Sequence, residues 1–180
     1  GADHCHALHD SGLGNATDEG LMSSAVLRGM GILEPIPVQN LGPEKARATL
    51  YNMAYQVMLN SLSFCLMIPW KMDQVVELVR AGTGWDVSIY ELIKAGERAL
   101  TLARVFNARE GFTAADDYLP ERSYGPTRNG ALAEGGIDRQ ALRQALNTYY
   151  AMAGWDRETG VPTREKLQEL GVAWAADYLP

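Results

Sequence analysis

The run Arg104-Val-Phe-Asn-Ala-Arg-Glu-Gly-Phe-Thr-Ala-Ala-Asp-Asp-Tyr-Leu-Pro-Glu-Arg122 constrains the fold most. A long helical pattern breaks there at Gly111 into an Asp-Asp-x-Leu-Pro-x-Arg loop that chance rarely assembles. Upstream, Ser88-Ile-Tyr-Glu91 has the spacing of a capping box, in which serine and glutamate each accept a bond from the other's backbone amide and so open a helix. Leu92, Ile93, Ala99, Leu100, Ala103 and Phe106 then supply the predicted buried stripe. Gly111 ends the helix, because glycine takes the left-handed conformation there without a steric penalty.

The same rules give further helices. Ala46, Leu50, Met53, Ala54, Val57, Met58 and Leu62 recur at intervals of three and four after Pro43, a residue suited to a first turn that needs no amide hydrogen. Asp138 is placed to cap a helix whose stripe is Ala141, Leu142, Ala145, Leu146, Tyr149 and Tyr150. Thr163 opens a short helix closed by Gly171, and shorter ones are predicted over residues 19–28 and 72–80. Sustained alternation of apolar and polar residues is nearly absent, so strands are not expected. The predicted fold is all-α, an irregular multi-helix domain with long loops at 31–42 and 111–136. Loops of that length are usually functional or pinned by another surface, and both are expected to touch parts of a larger body. Ala114-Ala-Asp-Asp-Tyr-Leu-Pro120 is echoed by Ala175-Ala-Asp-Tyr-Leu-Pro180, which a shared use of proline to stop a helix explains.

Composition narrows the partners. With 180 residues, 47% of them hydrophobic, the chain has the size of one domain and can bury a core. No apolar run approaches the roughly 20 residues that span a bilayer, and no secretory signal is visible. A formal charge of -6, with basic residues scattered, argues against nucleic acid. The two cysteines, Cys5 and Cys65, make neither a disulfide framework nor a complete metal site, and an intracellular, cytoplasmic setting is the expectation.

The residues with reactive chemistry have plain readings beside sharper ones. His4, His6 and His9 crowd the first nine positions and suit metal binding or proton transfer, though the spacing matches no structural zinc site and an exposed polar loop would look the same. Cys65, after an apolar helix, reads by itself as a small buried hydrophobe. Asp116 and Asp117 suit a helix cap or an arginine-anchored loop better than paired acid–base work. Glu97, Arg98, Arg104, Arg109 and Glu110 are spaced for pairing along a solvated or interdomain face. Trp70, Trp85, Trp155 and Trp174 are too dispersed for a stacking platform and read as core and interface residues.

Taken in order, Gly1-Ala-Asp-His4, Asn60-Ser-Leu-Ser-Phe-Cys65, Ile93-Lys-Ala-Gly-Glu-Arg98, the Arg104–Arg122 run and Gly154-Trp-Asp-Arg-Glu-Thr-Gly-Val-Pro-Thr163 resemble the C-terminal domain of the tungsten-containing aldehyde:ferredoxin oxidoreductases. The resemblance covers nearly the whole chain, 1–180, as a single helical domain of a longer enzyme. It implies that His4 lies beside the metal and the substrate carbonyl as the catalytic residue, and that His6 stands where a basic residue reaches toward the pterin. Cys65 would give one thiolate to a 4Fe-4S cluster whose other ligands come from elsewhere. Asn60 replaces the family's aspartate, a weaker acceptor for a pterin edge, and Ser63 replaces its glycine. Phe64 takes the place of a leucine whose backbone contacts the pterin.

The cofactors so implied are a tungstopterin and a 4Fe-4S cluster. The partners implied are a polypeptide carrying the N-terminal part with the other three cluster cysteines, ferredoxin or an electron-transfer subunit, and a small aldehyde oxidised to its acid. Two alternatives stay open: a reductive member of the family acting on aromatic acyl-thioesters, and a noncatalytic helical module that binds a partner.

Overall fold

The computed structural model describes residues 28–37, 39–130, 133 and 135–180. Among the described residues, from Pro43 onward, the α-helices are α1 (Pro43–Ser61), α2 (Met72–Thr83), α3 (Ile89–Arg109), α4 (Arg139–Ala153) and α5 (Arg164–Glu169). Three 3₁₀ turns, Ala114–Asp116, Glu121–Tyr124 and Ala173–Tyr178, complete the order. Among the described residues there is no strand, only one isolated antiparallel bridge between Trp155 and Pro162. The all-α expectation holds. Of the helix predicted over 19–28, all but Arg28 lies outside the described residues.

Local sequence sets the helix starts as predicted. The Ser88 amide donates to Glu91 Oε2 at 2.8 Å, and the Glu91 amide donates to Ser88 Oγ at 3.3 Å. Asp138 Oδ1 accepts from the Ala141 amide, and Thr163 Oγ1 from the Lys166 amide. The 111–136 segment, predicted as plain loop, holds two of the 3₁₀ turns. The echoed Ala-Ala-Asp segments also differ from the reading of a helix stopped by proline. Each forms or closes a 3₁₀ turn that buries one alanine, Ala114 or Ala175, before running out toward its proline.

The chain divides into two compact units: residues up to Asn40 with Arg47–Ala103, and Leu41–Ala46 with Arg104–Pro180. In the first unit Ile32, Ile36, Ala48, Tyr55, Met58, Leu59, Val75, Val79 and Leu92 form the core. Helix α1 is buried over more of its circumference than the single predicted face, since Asn52, Tyr55, Gln56 and Leu59 are buried beside Ala54, Val57 and Met58. Helix α3 crosses it at Gly96, where an added Cβ would sit 2.1 Å from the Ala54 carbonyl oxygen. Only glycine permits that backbone approach, which gives the Lys-Ala-Gly-Glu segment a packing role.

The predicted stripe of α3 needs correction. Ala103 and Phe106 are exposed, Phe106 at 55%, while the buried line runs through Leu100, Thr101, Arg104, Val105 and Ala108. Leu92 and Leu100 are buried as predicted, but two of those five residues are polar, so a search for apolar periodicity leaves the true face in the second half of the helix. Along α4, Ala141, Leu142, Ala145, Leu146 and Tyr149 are half-buried and Tyr150 is fully buried. Of the tryptophans, Trp155 is core, whereas Trp85 and Trp174 are exposed.

Candidate functional site

Asn60, Phe64 and Cys65 come together where α1 ends. The Ser63 amide donates to the Asn60 carbonyl at 3.0 Å and the Phe64 amide to the Leu59 carbonyl at 2.9 Å, the paired bonds of a Schellman termination. Phe64 and Leu59 both pack in the first core, the hydrophobic contact that accompanies this motif. Its left-handed position is Ser63, with φ of 59°. A serine there is strained where a glycine would not be. The glycine that the resemblance implies at this point would take the conformation without that cost, and the turn forms with serine in its place.

Beyond the turn the loop is tied down from within. Cys65 is exposed, but its carbonyl accepts from Trp70 Nε1 at 2.9 Å and from the Ile68 amide at 3.3 Å. The Trp70 ring packs on Phe64 with centroids 5.1 Å apart. The Trp70 carbonyl in turn accepts from the hydroxyl of Tyr55 at 3.0 Å. Burial pushes the Tyr55 hydroxyl up to about 12, so it stays protonated as a donor. Asn60 is exposed in the last turn of α1. The reading of Cys65 as a buried hydrophobe therefore does not hold: its neighbours Phe64 and Leu66 turn inward and Cys65 turns outward.

His4, His6, His9 and Cys5 lie outside the described residues. Among the described residues, no group of three or more His, Cys, Asp or Glu is arranged to hold a metal ion. Nor does any described helix have the length and apolar character to cross a membrane. Trp70 and Tyr55 were not singled out for this site. Their roles depend on contacts five and fifteen positions away, which helical periodicity does not report.

The second unit holds a different construction. Arg104, 8% exposed, donates from Nε to the Gly160 carbonyl at 2.8 Å, and its guanidinium meets both carboxylate oxygens of Asp117, at 3.2 and 2.8 Å. Its Cζ lies 5.6 Å from the ring centroid of Tyr150 and 5.5 Å from that of Trp155, rings that stack on each other. The Tyr150 hydroxyl hydrogen-bonds Asp117 as well, and burial first, then that bond, pushes its proton affinity up. Gly160 has φ of 69°, and a Cβ on it would lie 2.3 Å from Arg104.

The loop delivering Gly160 is itself fixed, because Asp156 Oδ1 accepts from the amides of Glu158 and Thr159 and from the Thr159 hydroxyl. The sequence motifs around Arg104 and Gly154–Thr163 thus meet in one structural knot. Asp117 is an arginine-anchored carboxylate as expected, its partner is Arg104, and Arg104 is buried instead of lying on a solvated face. Asp116 is a cap, bonding the Thr113 amide at 2.8 Å. An open cleft of about 310 Å³ in this unit is lined by Ala114, Ala115, Arg143, Asn147, Arg157 and Glu158. It includes none of the candidate residues, and Arg143 is already committed to the Ala114 carbonyl at 2.9 Å.

A helical domain ending one of its helices in an exposed, braced cysteine is the class that fold and site define. The family model described as aldehyde ferredoxin oxidoreductase, domains 2 and 3, matches residues 1–172, and the chain belongs to that family. It is 28% identical over 137 residues to the tungsten-containing aldehyde ferredoxin oxidoreductase of Thermococcus kodakarensis, covering 74% of this chain and 22% of that protein. The corresponding protein of Pyrococcus furiosus is 29% identical over the same length and shares. The WOR-like subunit of an aliphatic sulfonate oxidoreductase from Pyrococcus furiosus is 28% identical over 109 residues, 57% of this chain and 17% of that subunit.

The chain spans about a fifth of the length of the curated tungsten-containing relatives it matches. Its fold is shared with a chain of the active-site complex BamBC of benzoyl-coenzyme A reductase, solved with 1,5-dienoyl-CoA. The TM-score is 0.63 at 23% identity, over 81% of this chain and 23% of that one.

Proposed function

We propose that this chain is the helical C-terminal domain, residues 1–180, of a tungstopterin and iron–sulfur oxidoreductase that oxidises small aldehydes to carboxylic acids with ferredoxin as electron acceptor. Family membership over residues 1–172 supports the class. The observation that carries the site is the turn that holds Cys65 outward on a loop fixed at both ends. One accessible thiolate fits a cluster shared with another polypeptide, which would bring the remaining three. Asn60 and His6 are the residues assigned to the pterin. The Phe64 amide is committed to Leu59, so a pterin contact from Phe64 would go through its carbonyl.

In this reading an aldehyde and water become a carboxylic acid, releasing two electrons and two protons. When bound, the metal–pterin group supplies the oxidation and the cluster carries the electrons away singly. His4 would donate a hydrogen bond to the aldehyde oxygen and hold a proton released as the acid forms.

The test uses the chain assembled with the polypeptide that completes the enzyme. Cys65→Ser should lower iron content and abolish or alter the reduced-cluster signal, because an alkoxide is a poor substitute for a soft thiolate. His4→Ala should retain tungsten and iron yet cut aldehyde-dependent ferredoxin reduction by about 10²- to 10⁴-fold. An assembly that contains neither metal, or a Cys65→Ser variant with wild-type iron and signal, would overturn the reading.

A further inference from the structure

We infer that Trp70 is the positioning residue of the Cys65 loop, holding the cysteine through its backbone with Tyr55 as the anchor behind it. This rests on the reading of Cys65 as a cluster ligand. Three contacts converge on one residue: indole Nε1 donates to the Cys65 carbonyl at 2.9 Å, the ring packs on Phe64 with centroids 5.1 Å apart, and the backbone carbonyl accepts from the Tyr55 hydroxyl at 3.0 Å. Tyr55 is 1% exposed, near the middle of α1, so its hydroxyl is a fixed point. The chain of contacts therefore runs from the first core, through Trp70, to the peptide group of the exposed cysteine.

Such a brace matters because the turn before it is strained. Ser63 sits at φ of 59°, where a non-glycine residue favours opening the turn. A hydrogen bond closing residues 65–70 opposes that opening. Groups behind a metal ligand fix its orientation and tune the metal site. The hydrogen bond of Trp70 goes to the Cys65 carbonyl, so Trp70 acts through the cysteine's peptide group.

The experiment compares wild type, Trp70→Phe, Tyr55→Phe and Cys65→Ser in the assembled enzyme, reading amide hydrogen exchange of residues 62–71, iron content and the EPR signal of the reduced cluster. Trp70→Phe keeps an aromatic ring against Phe64 and removes the donor together with part of the indole's bulk. Exchange through residues 62–71 should quicken about five- to tenfold, the effect of losing one net hydrogen bond, with exchange along α1 unchanged. Iron content should persist while the g-values of the cluster shift. Tyr55→Phe, which deletes a hydroxyl without changing shape, should move both readouts in the same direction by less.

Unchanged exchange in both variants would overturn the brace. Quicker exchange with an unchanged EPR signal, in an enzyme whose Cys65→Ser variant loses that signal, would overturn the positioning role and leave the ligand reading standing. A wild-type signal in Cys65→Ser would instead overturn the ligand reading and the inference with it. The two failures differ in which variant leaves the signal unchanged.

Discussion

The ends of α1 and α3 use the same backbone turn and lead to opposite outcomes. At each, two amides bond back to carbonyls of the last helical turn: Ser63 and Phe64 in α1, Gly111 and Phe112 in α3, where the bonds to Ala108 and Asn107 are both 3.0 Å. At α1 the left-handed residue is serine, and the chain goes on to an exposed cysteine held by one indole. At α3 it is glycine, with φ of 90°, and the chain goes on to Asp117, whose carboxylate closes on the buried Arg104. One loop presents a reactive group outward while the other consumes its charge inward. Charge satisfied inside its unit is architecture; the exposed thiol, on a loop held by backbone and aromatic contacts, is the group that the proposed function assigns to the cluster.

Breaking the inward loop should cost the most. Asp117→Ala leaves the Arg104 guanidinium beside Tyr150 and Trp155 without its carboxylate, and truncating one partner of a buried pair typically costs about 3 kcal/mol or more. Asp117 is itself about a third exposed, which places the expected loss near the low end of that range. Denaturant unfolding of the assembled protein or of the chain should show it as a lower midpoint. A change below about 1 kcal/mol would mean that water replaces the carboxylate and that the knot contributes little. Cys65→Ser in the chain alone, without a cluster, should stay within about 0.5 kcal/mol, as for other surface substitutions. That difference in stability is the comparison expressed as a measurement.

How far this was legible in sequence follows from the range of the interactions. Ser88 with Glu91, Asp138 with Ala141, and Gly111 at a helix end depend on neighbours three or four positions away, and local spacing reveals such pairs. Arg104 could not be read the same way. Its partners are 13 and 56 positions distant, and an arginine in the middle of a helix looks like a solvated charge until Asp117 and Gly160 arrive. The same polar intrusion put Ala103 and Phe106 on the predicted face of α3, while Leu92 and Leu100 were read correctly. At the candidate site the resemblance pointed to Asn60, Phe64 and Cys65 and to a departure from glycine at Ser63, and the structure adds that Ser63 is the left-handed residue of the turn. The bracing by Trp70 and Tyr55 was not legible in sequence, since it is a tertiary arrangement written in no local period.

The two turns can be exchanged. Ser63→Gly should stabilise the protein by about 1 kcal/mol, because the left-handed residue loses its steric cost, and Gly111→Ala should destabilise by about the same amount. Nothing lies within 4 Å of an added Cβ at Gly111, so the conformational term is isolated there from packing. Midpoints that move in opposite directions, with similar size, would show that the same turn is favoured at one end and strained at the other. If Ser63→Gly also quickened exchange of the Cys65 loop, the strained serine would be stiffening the site instead of merely being tolerated.

The smallest effect concerns the loop that carries Gly160 to Arg104. Asp156 has its acidity raised, first by the Thr159 amide and then by the Thr159 hydroxyl, so its pKa in the folded chain lies below the unreacted value of 3.8. A carboxylate depressed on folding stabilises the fold at pH above its unfolded pKa, and that contribution disappears as pH falls through the lower folded value. Asp156→Asn keeps an oxygen acceptor for the same donors but removes the charge. The variant should therefore be slightly less stable than wild type near neutrality, and the gap should close as pH falls below about 3.8. Thermal midpoints of both proteins measured down an acid series would trace the closure. A gap that stays constant across the series would place the effect in the geometry of the side chain and remove any role for its charge in holding Gly160 against Arg104.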